Sequence, residues 1–198
     1  MRLPVAVDLI LASASPRRRE LLDQLGWPCR VEPADIDERP GADEAPLAHV
    51  ERLARAKARV IAARDPRALV LAADTIVVLD GQILGKPADD ADAVRMLRSL
   101  SGSTHQVMTG VAVAQSTRTL SEVQTSTVRF RALTEEDIRD YVSSGEPRDK
   151  AGAYGIQGPA GRFVEHLSGS YTGVMGLPLC HTERLLLSFL RPEVAHEQ

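Results

Sequence analysis

The chain has 198 residues, of which 43% are hydrophobic and 26% charged, and a formal net charge of -3. A length of about 100–200 residues is that of one domain with a sizeable core, and apolar content this high excludes a disordered chain. The mild acidity argues against binding of DNA or RNA polymers, which leaves a basic footprint, but not against a small anionic ligand held by a few aimed cations. Aromatics are only 4%, so Leu, Val, Ile and Ala must fill the core. Cys29 and Cys180 stand in no CxxC or Cys/His spacing. That points away from structural zinc and a disulfide framework, and toward two buried, reduced thiols.

Arg2, the apolar stretch 3–11 and Ala12-Ser13-Ala14 imitate a short secretory signal. Asp8 interrupts the run, and no stretch approaches the ~20 apolar residues of a membrane span. The segment therefore reads as a buried strand over 8–12 in a cytoplasmic protein without membrane contact. A helix over 17–25 follows, with Ser15 as N-cap, Pro16 at the first helical position and Gly26 as its stop. A strand around 29–32 leads to the acidic loop Asp35-Ile36-Asp37-Glu38. Residues 46–63 carry the clearest helical pattern, with Leu47, Val50, Leu53, Ala54, Val60 and Ile61 at three- and four-residue steps.

The apolar run 68–73, bounded by Pro66 and Asp74, reads as a strand buried on both faces. Residues 75–79 and 82–84 make a hairpin around Asp80-Gly81, a pair suited to a type I′ turn. Next come a helix over 89–100 and paired strands over 106–114 and 120–131. Thr134 and Asp137 form a capping box for a helix ending near Gly145. A glycine-rich loop over 154–161, a strand over 162–167, a helix over 178–190 and a frayed tail over 192–198 complete the pattern. The mixture predicts one α/β domain over residues 1–191, a mixed sheet flanked by helices, with two lobes around a central cleft.

Several groups carry chemistry. Ser13-Ala14-Ser15-Pro16-Arg17-Arg18 joins a strand to a helix, where amides and the helix dipole attract anions. Its hydroxyls and arginines suit phosphate oxygens, although a plain capped helix with solvated arginines has the same pattern. No GxxxxGK[ST] loop occurs. Lys57 falls within the apolar stripe of its helix and must snorkel, pair or serve a cleft. Asp74 follows the run 68–73, where ligands gather at the carboxyl ends of strands in parallel α/β sheets. There it can orient a metal or deprotonate water, or merely cap the strand. In Gly85-Lys86-Pro87, Lys86 is a phosphate contact or a solvated loop lysine. In the loop from Gly145 to Gly158, the amide of Gln157 offers a donor and an acceptor, matching the alternating edge of uracil or thymine. The histidines form no motif, and no GxSxG elbow occurs.

Taken in order, Ser13-Ala14-Ser15-Pro16-Arg17-Arg18, Ile36-Asp37-Glu38, Arg52-Leu53-Ala54-Arg55-Ala56-Lys57, Ala73-Asp74-Thr75, Gly85-Lys86-Pro87 and the loop from Gly145 to Gly158 resemble the Maf family of nucleotide pyrophosphatases. The resemblance runs from Leu9 to about Leu190. It implies a Maf/ITPase-like fold and hydrolysis of a nucleoside triphosphate between its α and β phosphates, with a divalent cation, Mg2+ or Mn2+, as cofactor. It implies Asp74 as proton acceptor, with Glu38, Lys57 and Lys86 completing the catalytic cleft. Ser13, Arg17, Thr75 and Gln157 would meet the substrate, the last three at positions tied to substrate choice, and Asp149 to Gly158 is similar to the dTTP/UTP type. A departure is Gly173, where the family commonly has asparagine. The resemblance also allows a homodimer. A nucleotide-sensing regulator of septum formation is the competing expectation, using the same anion turn and base pocket without needing Asp74.

Overall fold

The computed structural model describes residues 7–190, so the tail expected over 192–198 lies outside the described residues. In chain order the strands are β1 (Leu9–Leu11), β2 (Arg30–Val31), β3 (Leu69–Leu79), β4 (Gln82–Leu84), β5 (Thr104–Gln115), β6 (Arg118–Phe130) and β7 (Val164–Ser168). The helices are α1 (Pro16–Gln24), α2 (Pro46–Arg64), α3 (Asp90–Leu100), α4 (Glu135–Ser143), α5 (Tyr171–Val174) and α6 (Leu179–Leu190). Short 3-10 turns fill the glycine-rich stretch between α4 and β7. The strands form one mixed sheet in the order β2-β1-β3-β5-β6-β7, with β4 also on β3. β1 is parallel to β2 and β3, and the other pairs are antiparallel. The mixed sheet flanked by helices is the architecture the sequence predicts.

The strand expected to stop before Asp74 does not stop there. β3 is one strand through Asp74 and Thr75, because its pairing with β5 is unbroken from Val70↔Ala114 to Val78↔Gln106. Its other edge is shared. β1 covers residues 69–71 and β4 covers residues 77–79, leaving the stretch between them without a strand alongside among the described residues. Asp74 and Thr75 lie in that gap.

Pleating sends alternate side chains of β3 to opposite faces. On one face, Val70 and Ala72 pack with Ala54, Ala58 and Ile61 of α2. On the other, Leu69, Leu71 and Ala73 meet Leu21, Leu22 and Trp27 of the α1 segment and Leu185, Leu186 and Phe189 of α6. Each fully buried Leu, Val or Ile contributes roughly 1.5–3 kcal/mol, so these two faces carry the fold. The alanines let α2 lie low on the sheet. At the closest approach, a Cβ on Gly110 would stand 2.6 Å from the Val50 carbonyl oxygen. The buried stripe of α2 holds Lys57 as expected but is otherwise not quite the expected one: Leu47 is exposed and Val60 half-buried, while His49, Ala58 and Ala62 are inside. The cysteines also differ from expectation, since Cys29 is half-buried and Cys180 exposed.

Elsewhere the local signals hold. Asp89 caps α3, accepting from the Asp92 amide at 2.7 Å, and Thr134 and Asp137 make the reciprocal capping box of α4. The single turn α5, capped by Ser170 accepting from the Gly173 amide, carries no periodic apolar pattern and is not expected from sequence. Among the described residues no helix is long and apolar enough to cross a membrane.

The far ends of β3, β5 and β6 enter a third core with α3, α4 and the glycine-rich stretch. Here the rings of His105, Phe130 and Tyr154 stack edge to face, and His105 Nε2 lies 2.8 Å from the Tyr154 hydroxyl. Burial pushes the His105 imidazole down to about 4. Between that value and an unfolded value of ~6.5, the unfolded chain binds a proton that the folded one refuses. Stability should therefore be complete above pH ~6.5 and fall by roughly 2–3 kcal/mol as pH drops toward ~4. Denaturant unfolding across that range should show the slope in the wild type and lose most of it in His105→Gln. An unchanged slope in the variant would assign the acid lability to other groups.

Candidate active site

The turn from β1 into α1 places Ser15 at the N-cap position with extended backbone, but its side chain makes no capping bond, and no acidic residue occupies the first turn. The Ser15 amide instead donates to Ser13 Oγ at 3.2 Å. Arg18 points back under this turn. Its guanidinium donates from Nε to the Gly176 carbonyl at 2.8 Å, from Nη1 to Ser13 Oγ at 3.1 Å and from Nη2 to Thr75 Oγ1 at 3.0 Å. Withdrawal from water lowers the Arg18 pKa, while the charges of Asp74 and Glu38 raise it. A guanidinium remains protonated in such a setting, so Arg18 is a fixed cation at the foot of the cleft.

Asp74, one residue before Thr75, faces the α2 side. Lys57 Nζ lies 2.7 Å from Asp74 Oδ1 and 2.6 Å from Glu38 Oε1. Of the three courses open to a lysine in an apolar stripe, Lys57 takes pairing within a cleft. Asp74 Oδ2 makes no protein hydrogen bond among the described residues. Burial alone would raise the Glu38 carboxyl, but the Lys57 hydrogen bond and the charges of Lys57, Lys86 and Arg18 bring it below its usual value.

The opposite wall is the loop after α4. Lys150, buried to 8% exposure, donates to the Glu146 carbonyl at 2.6 Å and to Asp149 Oδ1 at 2.8 Å. The Tyr141 hydroxyl accepts from the Gly155 amide at 3.2 Å. These contacts fix the loop that presents Gln157, which is itself exposed. Arg17 reaches across from α1 to Asp149, 3.5 Å away.

Between the walls is a cleft of about 1040 Å³, near the upper end of ligand-pocket sizes. All eight residues singled out in the sequence line it: Ser13, Arg17, Glu38, Lys57, Asp74, Thr75, Lys86 and Gln157. Arg18 belongs to the anion turn of the sequence pattern but holds the frame of the cleft, while Thr109 and His49 carry no sequence motif. Arg17 and Arg18 both lie within four residues of the buried Leu21, so helical spacing alone does not single out Arg18. Thr109 alternates with Val107, Val111 and Val113 on one face of β5, which marked it as buried. His49, inside the cleft wall, pairs through Nδ1 with Glu44 Oε2 at 2.9 Å, and Arg52 binds both oxygens of the same carboxylate. Neither His49 nor Glu44 had a readable spacing.

An open sheet edge, an uncapped helix N-terminus, a lysine between two carboxylates and a rim of arginines are the chemistry that suits a phosphorylated ligand beside a buried carboxylate. The chain belongs to the family of Maf-like proteins, whose model matches residues 8–189. A dTTP/UTP pyrophosphatase of Dechloromonas aromatica (strain RCB) is 52% identical over 192 residues, covering 90% of this chain and 95% of its own length. One of Salmonella typhimurium (strain LT2) is 55% identical over 182 residues, covering 91% and 92%. Among solved structures, a HAM1 protein from Coxiella burnetii matches with a TM-score of 0.55 at 16% identity, covering 92% of this chain and 99% of that one. That likeness concerns the fold alone.

The Lys57 network has a measurable consequence. Lys57→Met should strand the Asp74 carboxylate inside the wall and cost about 3 kcal/mol in denaturant unfolding. Lys57→Met combined with Asp74→Leu should recover much of that stability by removing the unpaired charge. A single variant as stable as the wild type would mean that the pair is not coupled in the fold.

Proposed function

We propose that the cleft hydrolyses dTTP and UTP between the α and β phosphates, releasing the nucleoside monophosphate and pyrophosphate. The observation that carries this reading is Asp74: a buried carboxylate held through one oxygen by Lys57, in the lining of the cleft, in a chain about half identical to dTTP/UTP pyrophosphatases.

The chemistry follows from these positions. Water attacks the α phosphorus as Asp74 Oδ2 accepts one of its protons. The new P–O bond forms while the bond to the α–β bridging oxygen breaks, and that oxygen leaves with pyrophosphate. The work of the protein is positioning and charge neutralisation, as in other phosphoryl transfers. Lys57 orients the base and opposes negative charge at the reacting phosphate. Arg17 and Lys86, at the rim, take phosphate oxygens. Both lone pairs of Ser13 Oγ are engaged by the Ser15 amide and Arg18, so its hydrogen is free for a phosphate oxygen. Gln157, on the facing loop, meets the base edge with donor and acceptor together.

Charge balance in the cleft accounts for a cation. Its lining sets Arg17, Arg18, Lys57, Lys86 and Lys150 against Glu20, Glu38, Asp74, Glu146 and Asp149. A triphosphate therefore meets a balanced cleft and needs positive charge to come with it. Among the described residues no group of three or more His, Cys, Asp and Glu side chains forms a metal cage. Glu38, paired with Lys57 through Oε1, nevertheless fits Mg2+ or Mn2+, because such ions are commonly held by one or two carboxylates plus substrate phosphates. When bound, the ion would neutralise charge on the triphosphate. The proposed setting is the cytoplasm, as the sequence pattern at the N-terminus leads one to expect.

A panel of nucleotides scored separately for pyrophosphate and orthophosphate is the direct test. Pyrophosphate should come from dTTP and UTP and much less from GTP. Chelation should stop turnover, and Mg2+ or Mn2+ should restore it without a change in melting temperature. Saturable binding without pyrophosphate release would establish a sensor rather than an enzyme. Asp74→Asn should fold normally and lose roughly 100-fold or more in kcat; near-normal turnover would remove Asp74 from the role of base. Gln157→Glu should weaken uridine and thymidine nucleotides selectively, and an equal loss across all bases would give Gln157 a structural role instead.

A further inference from the structure

Thr75 cannot be read alone, because its hydroxyl belongs to a chain of hydrogen bonds. Thr109, fully buried and directly opposite in the β3–β5 register, donates to the Gly173 carbonyl at 2.8 Å. The Thr75 and Thr109 hydroxyl oxygens are 2.9 Å apart, and Arg18 donates to Thr75 from the other side. A hydroxyl has one hydrogen and two lone pairs. A carbonyl cannot donate, so the hydrogen of Thr109 goes to Gly173. The Thr75–Thr109 contact is then a hydrogen bond only if Thr75 gives its own hydrogen to Thr109. With Arg18 filling one lone pair, Thr75 has one lone pair left and no hydrogen to offer. Thr75 is only half-buried and lines the cleft, so that lone pair is what a ligand meets.

We infer that the chain Arg18–Thr75–Thr109–Gly173 fixes the Thr75 hydroxyl as an acceptor, so that this point of the cleft selects a nucleotide presenting a hydrogen-bond donor, with Thr109 as the positioning residue. The inference rests on the reading of the cleft as a nucleotide site. Ionised phosphate oxygens and base carbonyls are acceptors and are refused here. The donors common to dTTP and UTP are the ring N3–H and the sugar 3′-hydroxyl. Ser13, whose hydrogen is free, has the opposite polarity and suits the phosphates. Arg18, donating to both hydroxyls, sets the two polarities at once.

The test compares UTP with 3-methyl-UTP, which lacks the ring donor, and with 3′-deoxy-UTP, which lacks the sugar donor. The wild type should lose up to about tenfold in kcat/KM, mostly through KM, on the analogue missing the donor that meets Thr75. The loss identifies base or sugar as the source. Thr75→Val should bring the two substrates to within about twofold. Thr109→Val should also shrink the difference, because the freed Thr75 hydrogen can turn toward the substrate, whereas Thr109→Ser should keep it whole. Should Thr109→Val fail to fold, Thr109→Cys, with a poor acceptor in its place, replaces it.

Full discrimination in Thr75→Val or in folded Thr109→Val, or none in the wild type, would overturn the inference. Calorimetric affinities on the same nucleotides separate it from the hydrolase reading. Turnover without the analogue pattern would sink the hydrogen-bond chain alone. The pattern in affinity without turnover would support the chain and sink the hydrolase.

Discussion

The structure depends on how one edge of β3 is divided. A central strand with both edges paired along its length would leave no break in the sheet for a ligand to reach its backbone and both of its faces. β5 takes one edge of β3 completely, while β1 and β4 share the other and stop short of each other. β1 is only three residues long, because the chain must turn at Ser13 to start α1. β4 is equally short, being the return arm of a tight turn at Asp80-Gly81, where both residues take positive φ. The gap between them is the floor of the cleft, made of backbone that β5 keeps rigid.

Because neighbours in a strand face opposite ways, a gap in an edge gives access to both faces of the sheet. Asp74 faces α2 and meets Lys57, while Thr75 faces the α1 side and meets Arg18 and Thr109. Two adjacent residues thus meet two different sets of partners without competing for space. On the α2 side, close packing over Gly110 and the small side chains Ala54 and Ala58 sets how deep Lys57 sits. On the α1 side, Arg18 binds three separate segments, the β1–α1 turn, β3 and the turn at Gly176. A shift of any one segment would cost hydrogen bonds to the other two.

Much of this was legible in the sequence where periodicity or local chemistry governs. The pattern of α2, the capping box at Thr134 and the turn at Asp80-Gly81 depend on neighbours within a few residues. The continuity of β3 through Asp74 does not. A charged residue after an apolar run looks like an end, and the partner that buries it, Lys57, comes from another element. Likewise Arg17 and Arg18 are indistinguishable by composition. Their difference arises from the distant Gly176 carbonyl and Thr75, as the role of Thr109 arises from Gly173, 64 residues away. Motifs placed the site residues at the cleft, while long-range hydrogen bonds decided what each can do there.

The two arginines also differ in how strongly they are held, which bears on which of them meets the substrate. Arg18 makes three hydrogen bonds in a desolvated wall, so recruiting it to a phosphate would break a frame shared by three segments. Arg17 is held by one contact of 3.5 Å to an Asp149 side chain that is 66% exposed. Pairs of that kind are worth about 0–1 kcal/mol. A phosphate offers Arg17 a stronger, charge-assisted partner at little cost. Losing that partner leaves Asp149 with Lys150, 2.8 Å away, so its carboxylate stays compensated. Under the proposed function, Arg17 is therefore the arginine that can be exchanged onto the triphosphate, and Arg18 the one that keeps the cleft in shape.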